Sequence, residues 1–244
     1  MHHFNRREDR LYAENVDVTA IAERVGTPFY CYSTATLRQH YTRLKEAFAQ
    51  NEVNICYSVK ANSNLGVIAT LADLGSGADV VSEGELRRAL MSGIPAEKIV
   101  FSGVGKTEAE MTYALNADIA QFNVESRAEL EQLSEVATKQ GKTARISLRV
   151  NPDIDAGTHE KISTGKAENK FGIAAESALR VYRDASQMPG ILVTGIDCHI
   201  GSQLTTVEPF LDAIDRLLLM TEILAAEGIN ISHFDMGGGL GVTY

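Results

Sequence analysis

Cysteine is scarce in this 244-residue chain: Cys31, Cys56 and Cys198 are the only three, with no CxxC pair and no metal-ligand spacing. That excludes a disulfide framework or a zinc module and fits a reducing, cytoplasmic setting. Basic residues are also short, 23 Lys and Arg against 32 Asp and Glu, for a formal net charge of −9. No basic patch stands out, which argues against nucleic acid or anionic membrane as a partner, since clustered positive charge holds both. Long apolar runs are missing too. No stretch approaches the length of a membrane span, and MHHFNRREDRLYAENVDVTAIAERVG at the N-terminus has no apolar centre for a signal peptide. What remains is an acidic chain, 44% hydrophobic, long enough to bury a large core and expected to have a small molecule as its partner.

Short β-rich runs alternate with helix-period runs, the pattern of repeated βα units around a parallel sheet. Seven strands are predicted, over residues 53–59, 77–82, 98–103, 118–124, 144–150, 192–200 and 231–237, with a helix after each of the first six. Ser82/Glu85, Thr107/Glu110 and Ser126/Glu129 read as capping boxes, in which a hydroxyl and a carboxylate three residues on satisfy free backbone N–H groups. Gly93 and Gly141 stand where helix C-caps belong. The expected class is α/β, a (β/α)8 TIM-type barrel over 34–244 that stops after its seventh strand at GGGLGVTY. Residues 1–33, with a β-like TPFYCYS run at their end, need not belong to it. The polar, turn-rich segment 151–173 is long for a compact domain and is expected to be a functional or mobile loop.

A (β/α) barrel places its chemistry at the C-terminal ends of the strands, where the βα loops converge. Lys60 ends the first strand, Arg149 lies near the end of the fifth, His199 ends the sixth, and Gly237, Gly238 and Gly239 end the seventh. Successive glycines let backbone N–H groups converge on one anion, and barrels commonly hold a phosphate near their last strands. MGGGLG lacks the GxGxxG spacing of a dinucleotide fingerprint. A plain tight turn is the other reading. A lysine and a phosphate nest on one rim suggest pyridoxal 5'-phosphate, whose aldehyde condenses with an amine while backbone donors hold its phosphate. His199 is then available to lie on the pyridine ring, or is a strand-end histidine satisfied by its neighbours. Asp79, in the apolar run GADVV, is an inward carboxylate that wants a cation, with Lys60 the natural one and backbone hydrogen bonding the alternative. Glu85 is already explained by its capping box, and Ser202 in HIGSQ either donates to the phosphate or caps the next helix.

In that order and at these separations, CYSVKAN, GADVVSEGEL, LRVNP, NKFGI, CHIGSQ and FDMGGGLG make the chain similar to the diaminopimelate decarboxylases, in the alanine-racemase-type (fold type III) family of pyridoxal-phosphate decarboxylases. The resemblance covers nearly all of the chain. It implies that Lys60 is the lysine that condenses with the cofactor aldehyde, that His199 stacks on the ring, and that Ser202 and Gly237 to Gly239 surround the phosphate. Residues matching Asp79, Glu85 and Arg149 line the cofactor side in related decarboxylases. The family's Glu-Pro-Gly-Arg strand and its β-rich second domain, which carries substrate contacts, find no match up to Tyr244. For the complete protein the resemblance implies meso-2,6-diaminopimelate as substrate, L-lysine as product and a homodimer with shared active sites. Activity of these 244 residues alone is not expected, and residues 1–33 are expected to associate with the β domain. The alternatives are a sister decarboxylase of arginine, ornithine or carboxynorspermidine, and a non-catalytic barrel that only carries the cofactor.

Overall fold

The computed structural model describes residues 2–154 and 171–242, which fall into two compact units, Met1–Asp79 with Gly84–Ile99 and Val80–Glu83 with Val100–Tyr244. Most of the loop expected over 151–173 therefore lies outside the described residues.

The first unit opens with an antiparallel meander that the sequence reading missed: β1 (Phe4–Arg7), β2 (Arg10–Ala13) and β3 (Val16–Asp17). Its strands are too short and too polar to show a clear alternation. Asp17 then caps α1 (Val18–Val25), accepting the Thr19 N–H at 2.8 Å. TPFYCYS forms no strand, and its Pro28 has no N–H to give to a ladder. Ser33 caps α2 (Thr34–Ala47), and the Glu14 carboxylate reaches over from the meander to accept the Ser33 hydroxyl and the Ala35 N–H, both at 2.8 Å. There follow β4 (Cys56–Ser58), α3 (Leu65–Ala72), β5 (Gly77–Val80) and α4 (Glu83–Met91), with β4 and β5 parallel. Tyr41, Val67 and Leu71 form one buried cluster here, packed against Leu37, Ile55, Tyr57 and Leu74.

The second unit continues the alternation with β6 (Ile99–Phe101), α5 (Glu108–Ala117), β7 (Gln121–Val124), α6 (Arg127–Lys139), β8 (Ala144–Asn151), the two-residue β9 (Ile173–Ala174), α7 (Ala175–Gln187), β10 (Ile191–Asp197), α8 (Glu208–Ala226) and β11 (His233–Asp235). The order β6-β7-β8-β10-β11 is parallel throughout, and β9 pairs with the end of β8. Phe101, Phe122, Ile146, Leu148 and Ile196 are buried in it, as are Leu130, Leu133 and Tyr182 from the helices. All seven predicted βα strands are present; β8 runs one residue beyond its predicted span, and the others are shorter than theirs. Among the described residues no helix is long and apolar enough to cross a membrane.

Thr107 and Glu110 make the full capping box that was expected. Ser126 and Glu129 make half of one. Ser126 accepts the Glu129 N–H at 3.2 Å, but the Glu129 carboxylate turns inward, to Lys106 Nζ at 2.7 Å and the Glu125 N–H at 3.1 Å. The cause is Lys106, whose side chain is 1% exposed and whose ammonium needs an anion. Its remaining protons go to the carbonyls of Gly103 at 2.9 Å and Asn123 at 2.7 Å.

Lys106→Ala leaves the Glu129 carboxylate buried without its cation and should cost about 3–5 kcal/mol in urea unfolding. Removing both charges, as Lys106→Met with Glu129→Leu, should cost markedly less; a double variant no more stable than the single would contradict this. A second expectation concerns acid. The Ala35 N–H first, and the Ser33 hydroxyl next, hold the Glu14 carboxyl below its ordinary value of 4.5. Its folded-state pKa is thus depressed, so its contribution is complete above the unfolded value and is lost as the pH falls through the folded one. Thermal melts at descending pH should show a shallower acid decline for Glu14→Gln than for wild type.

Candidate active site

In the first unit, the chain leaves β4 through a 3-10 turn, Val59–Ala61, so Lys60 stands on a turn and not on the strand end predicted for it. The turn is pinned from several sides. Val59 is fully buried, the Tyr57 hydroxyl donates to the Asn62 carbonyl at 3.0 Å, and the Asn62 N–H donates to the Val59 carbonyl at 3.1 Å. Burial pushes the Tyr57 hydroxyl above its ordinary range, which keeps it protonated as the donor. Lys60 itself is exposed. Its expected ion pair with Asp79 is not made: Asp79 lies opposite Ser58 in the β4–β5 register and accepts its hydroxyl at 3.2 Å. Among the described residues no carboxylate pairs with Lys60. The reason is register, since Lys60 lies beyond the last paired residue and Ser58 faces the carboxylate directly. Glu85 is the third residue of α4, the place a capping box gives it.

In the second unit, Arg149 near the end of β8 pairs with Glu125 just past β7, Nη1 to Oε1 at 3.0 Å, with side chains 15% and 3% exposed. Glu125 Oε1 also accepts the Gly103 N–H at 3.1 Å, while Oε2 is buried with no hydrogen-bond partner among the described residues. The ring of Phe171 lies 5.6 Å from the Arg149 guanidinium. A carboxylate and an aromatic face together fix that cation.

His199 and Gly237 each follow their strands by two residues and do not end them, because β10 stops at Asp197 and β11 at Asp235. The two loops beyond run side by side. Cys198 N–H donates to the Asp235 carbonyl at 3.0 Å, Leu204 N–H to the Gly239 carbonyl at 2.8 Å, and Gly241 N–H to the Leu204 carbonyl at 2.8 Å. This close approach explains two of the glycines. Gly237 has φ +65°, and a Cβ there would lie 2.5 Å from the Cys198 carbonyl oxygen; Gly239 has φ +105°, and its Cβ would fall on the Gly201 carbonyl. At Gly238 a Cβ would meet nothing within 4 Å.

The three N–H groups differ in what they do. That of Gly237 donates to Asp235 Oδ1 at 2.8 Å and that of Gly238 to His199 Nδ1 at 3.3 Å. The Gly239 N–H has no acceptor among the described residues. Because His199 Nδ1 accepts, the neutral ring carries its proton on Nε2. Ser202 is exposed on the neighbouring loop and does not cap the next helix, for α8 starts at Glu208 with Val207 as its N-cap. Burial first, and then Asp197 and Asp235, push the Cys198 thiol up, so it is no nucleophile at neutral pH. Open space over Gly238, a free N–H at Gly239 and a fixed imidazole beside them suit the phosphate end of a pyridoxal cofactor.

Glu125 and Asp235 are the residues that the sequence reading missed. Both had a signal. Glu125 directly follows a strand, on the rim by the same reasoning that singled out Lys60, and Asp235 in Asp-Met-Gly is an aspartate placed to fold back on a backbone N–H two residues on.

Seven βα strands, a lysine on a pinned turn and a glycine loop against a histidine define a class, that of pyridoxal-binding barrels. The chain belongs to the pyridoxal-dependent decarboxylase family, matching its pyridoxal binding domain over residues 34–244. It is 56% identical to diaminopimelate decarboxylase of Vibrio cholerae serotype O1, a match that takes in 100% of this chain and 59% of that protein. Among solved structures it resembles diaminopimelate decarboxylase from Helicobacter pylori complexed with L-lysine (TM-score 0.90, 44% identity, 93% of this chain and 58% of that one). It also resembles the M. jannaschii enzyme in complex with L-lysine (TM-score 0.92, 40% identity, 99% and 57%). The fold is thus the pyridoxal-phosphate-binding barrel of this family, and the chain spans somewhat over half the length of these relatives.

The glycine geometry separates two kinds of substitution. Gly237→Ala and Gly239→Ala should each lower the melting temperature clearly, through positive φ and a collision with a carbonyl. Gly238→Ala, with open space around its Cβ, should stay within about 0.5 kcal/mol of wild type. Equal destabilisation by all three would show that the loop is not held as described.

Proposed function

We propose that the complete protein decarboxylates meso-2,6-diaminopimelate to L-lysine and CO2, using pyridoxal 5'-phosphate. What carries this reading is the likeness, over nearly all of this chain and somewhat over half of theirs, to diaminopimelate decarboxylases, two of them solved with L-lysine, which would be the product. The bound cofactor supplies an electron sink for the pair left behind when CO2 departs from the α-carbon. The chain's own residues bind and orient it. Lys60 would hold the cofactor aldehyde through its amine. His199, kept in place by the Gly238 N–H, would meet the pyridine ring. Ser202 and the loop of Gly237 to Gly239 would hold the phosphate, with the Gly239 N–H the one still open to it among the described residues, while Asp79, Glu85 and Arg149 would line the cofactor side.

The same reading makes the protein a cytoplasmic homodimer with shared active sites. It also assigns residues 1–33 to a surface covered by a further β domain. Exposed Leu11, Val16, Val25 and Tyr30 support that last point, since scattered apolar side chains on so short a segment suit a covered face.

Borohydride reduction of the complete holoprotein, followed by peptide mapping, should leave a pyridoxyl group on Lys60. An adduct on another lysine would overturn the assignment. Gly238→Asp should weaken cofactor binding far more than it lowers the apo melting temperature, because it drives a carboxylate into space meant for a phosphate dianion. CO2 release should be fastest with meso-2,6-diaminopimelate in a panel that includes arginine, ornithine and carboxynorspermidine. Faster turnover of one of those would make the protein a sister decarboxylase, and turnover of none would make it a cofactor carrier.

A further inference from the structure

We infer that Asp235, braced by Asn123, is a positioning residue that sets the glycine loop and, through it, the His199 ring; this rests on the proposal that the loop holds the cofactor phosphate. Asn123 belongs to β7 and Asp235 to β11, strands separated in the sheet by β8 and β10. Their side chains nevertheless meet, Asn123 Nδ2 donating to Asp235 Oδ2 at 3.0 Å. Asn123 is 2% exposed and is itself held from several directions. Its Nδ2 also donates to Ser102 Oγ at 3.2 Å, its Oδ1 accepts from Gln121 Nε2 at 2.9 Å, and its carbonyl accepts from Lys106 Nζ at 2.7 Å. Those partners fix which end of the amide faces Asp235.

The other oxygen of Asp235 works on the loop. Oδ1 accepts the Gly237 N–H at 2.8 Å, which settles the positive φ of Gly237 and turns the next N–H, that of Gly238, onto His199 Nδ1. One carboxylate therefore has one oxygen anchored in the interior and the other on the residues that approach the phosphate and the ring. Charge-assisted hydrogen bonds of this kind are the strong ones, and two on one carboxylate leave it little freedom. If the loop were only a turn, the Gly237 N–H would need an acceptor, but not one braced from a strand so far across the sheet.

The test uses the complete protein and three variants. Asp235→Asn keeps an acceptor for the Gly237 N–H but sets an amide N–H2 against that of Asn123. Adding Asn123→Asp reverses donor and acceptor and restores the bond. Asn123→Ala removes the brace from the other side. Affinity is measured for pyridoxal 5'-phosphate and for pyridoxal, which lacks the phosphate, together with the 31P signal of the bound cofactor and the melting temperature of each apo protein. Asp235→Asn and Asn123→Ala should each weaken pyridoxal phosphate about tenfold, weaken pyridoxal clearly less, through the His199 ring alone, and shift the 31P signal. The swapped pair should recover most of the affinity. Equal losses for the two ligands, or no recovery in the swap, would reduce the pair to a folding role and overturn the inference. Unchanged phosphate affinity in both single variants overturns it as well. In that case a weakened Gly238→Asp protein would leave the phosphate proposal standing, and an unweakened one would remove both.

Discussion

A lysine side chain that is 1% exposed needs acceptors around its nitrogen, and Lys106 draws the ends of β6 and β7 and the start of α6 together to provide them. It takes the carbonyl of Gly103, the carbonyl of Asn123 and one oxygen of Glu129. The other oxygen of Glu129 takes the Glu125 N–H, and Glu125 in turn holds the Gly103 N–H and the Arg149 guanidinium. Along this line two neighbouring carboxylates, Glu129 and Glu125, stand between two cations, Lys106 and Arg149. Burial holds the Glu129 carboxyl above its ordinary value, and the Lys106 ammonium offsets only part of that rise. The rim of the second unit is therefore rigid where Arg149 and Asn123 stand, and its rigidity is polar, set on top of an apolar core that supplies burial but little direction.

A second constraint is the distance between two loops. Once Cys198 N–H is bonded to the Asp235 carbonyl and Leu204 N–H to that of Gly239, the backbones lie too close for a side chain at 237 or 239. Glycine there is a steric requirement, and of the three N–H groups only that of Gly239 is left without an acceptor among the described residues. Expecting three convergent donors overestimates the nest, for two of the three are already used inside the protein. The use made of them is informative in itself: the Gly238 N–H fixes the tautomer of His199, so the loop and the imidazole form one structural piece.

How much of this was legible in the sequence follows from how local each feature is. Strand and helix alternation, the Thr107 capping box, and Gly93 and Gly141 past their helices depend on neighbours within a few residues, and they appear in the structure as read. Gly93 and Gly141 both adopt positive φ. What failed depended on distant partners. Glu129 looked like half of a capping box until Lys106, 23 residues earlier, claimed its carboxylate. Asn123 gives no sign in the sequence that it meets Asp235, 112 residues on. TPFYCYS has the composition of a strand but offers no ladder at Pro28 and finds no partner strand among the described residues. The candidate site was legible as a set of residue types on strand ends, while the hydrogen bonds that orient them were not.

Lys60 shows how a misjudged pairing bears on chemistry. In the proposed role Lys60 holds a cofactor aldehyde through its nitrogen, and a carboxylate partner would compete for that same nitrogen. The β4–β5 register gives Asp79 the Ser58 hydroxyl and carries Lys60 one turn further on. Its backbone is then fixed by buried Val59 and by the bond from Tyr57 to Asn62, whereas its four-carbon stem stands exposed and is tied by no ion pair among the described residues. A pinned backbone under a side chain free of ion pairs suits the cofactor-holding role proposed for Lys60. Three residues of 3-10 turn, and not a longer strand, carry Lys60 past the last paired residues of β4 and β5.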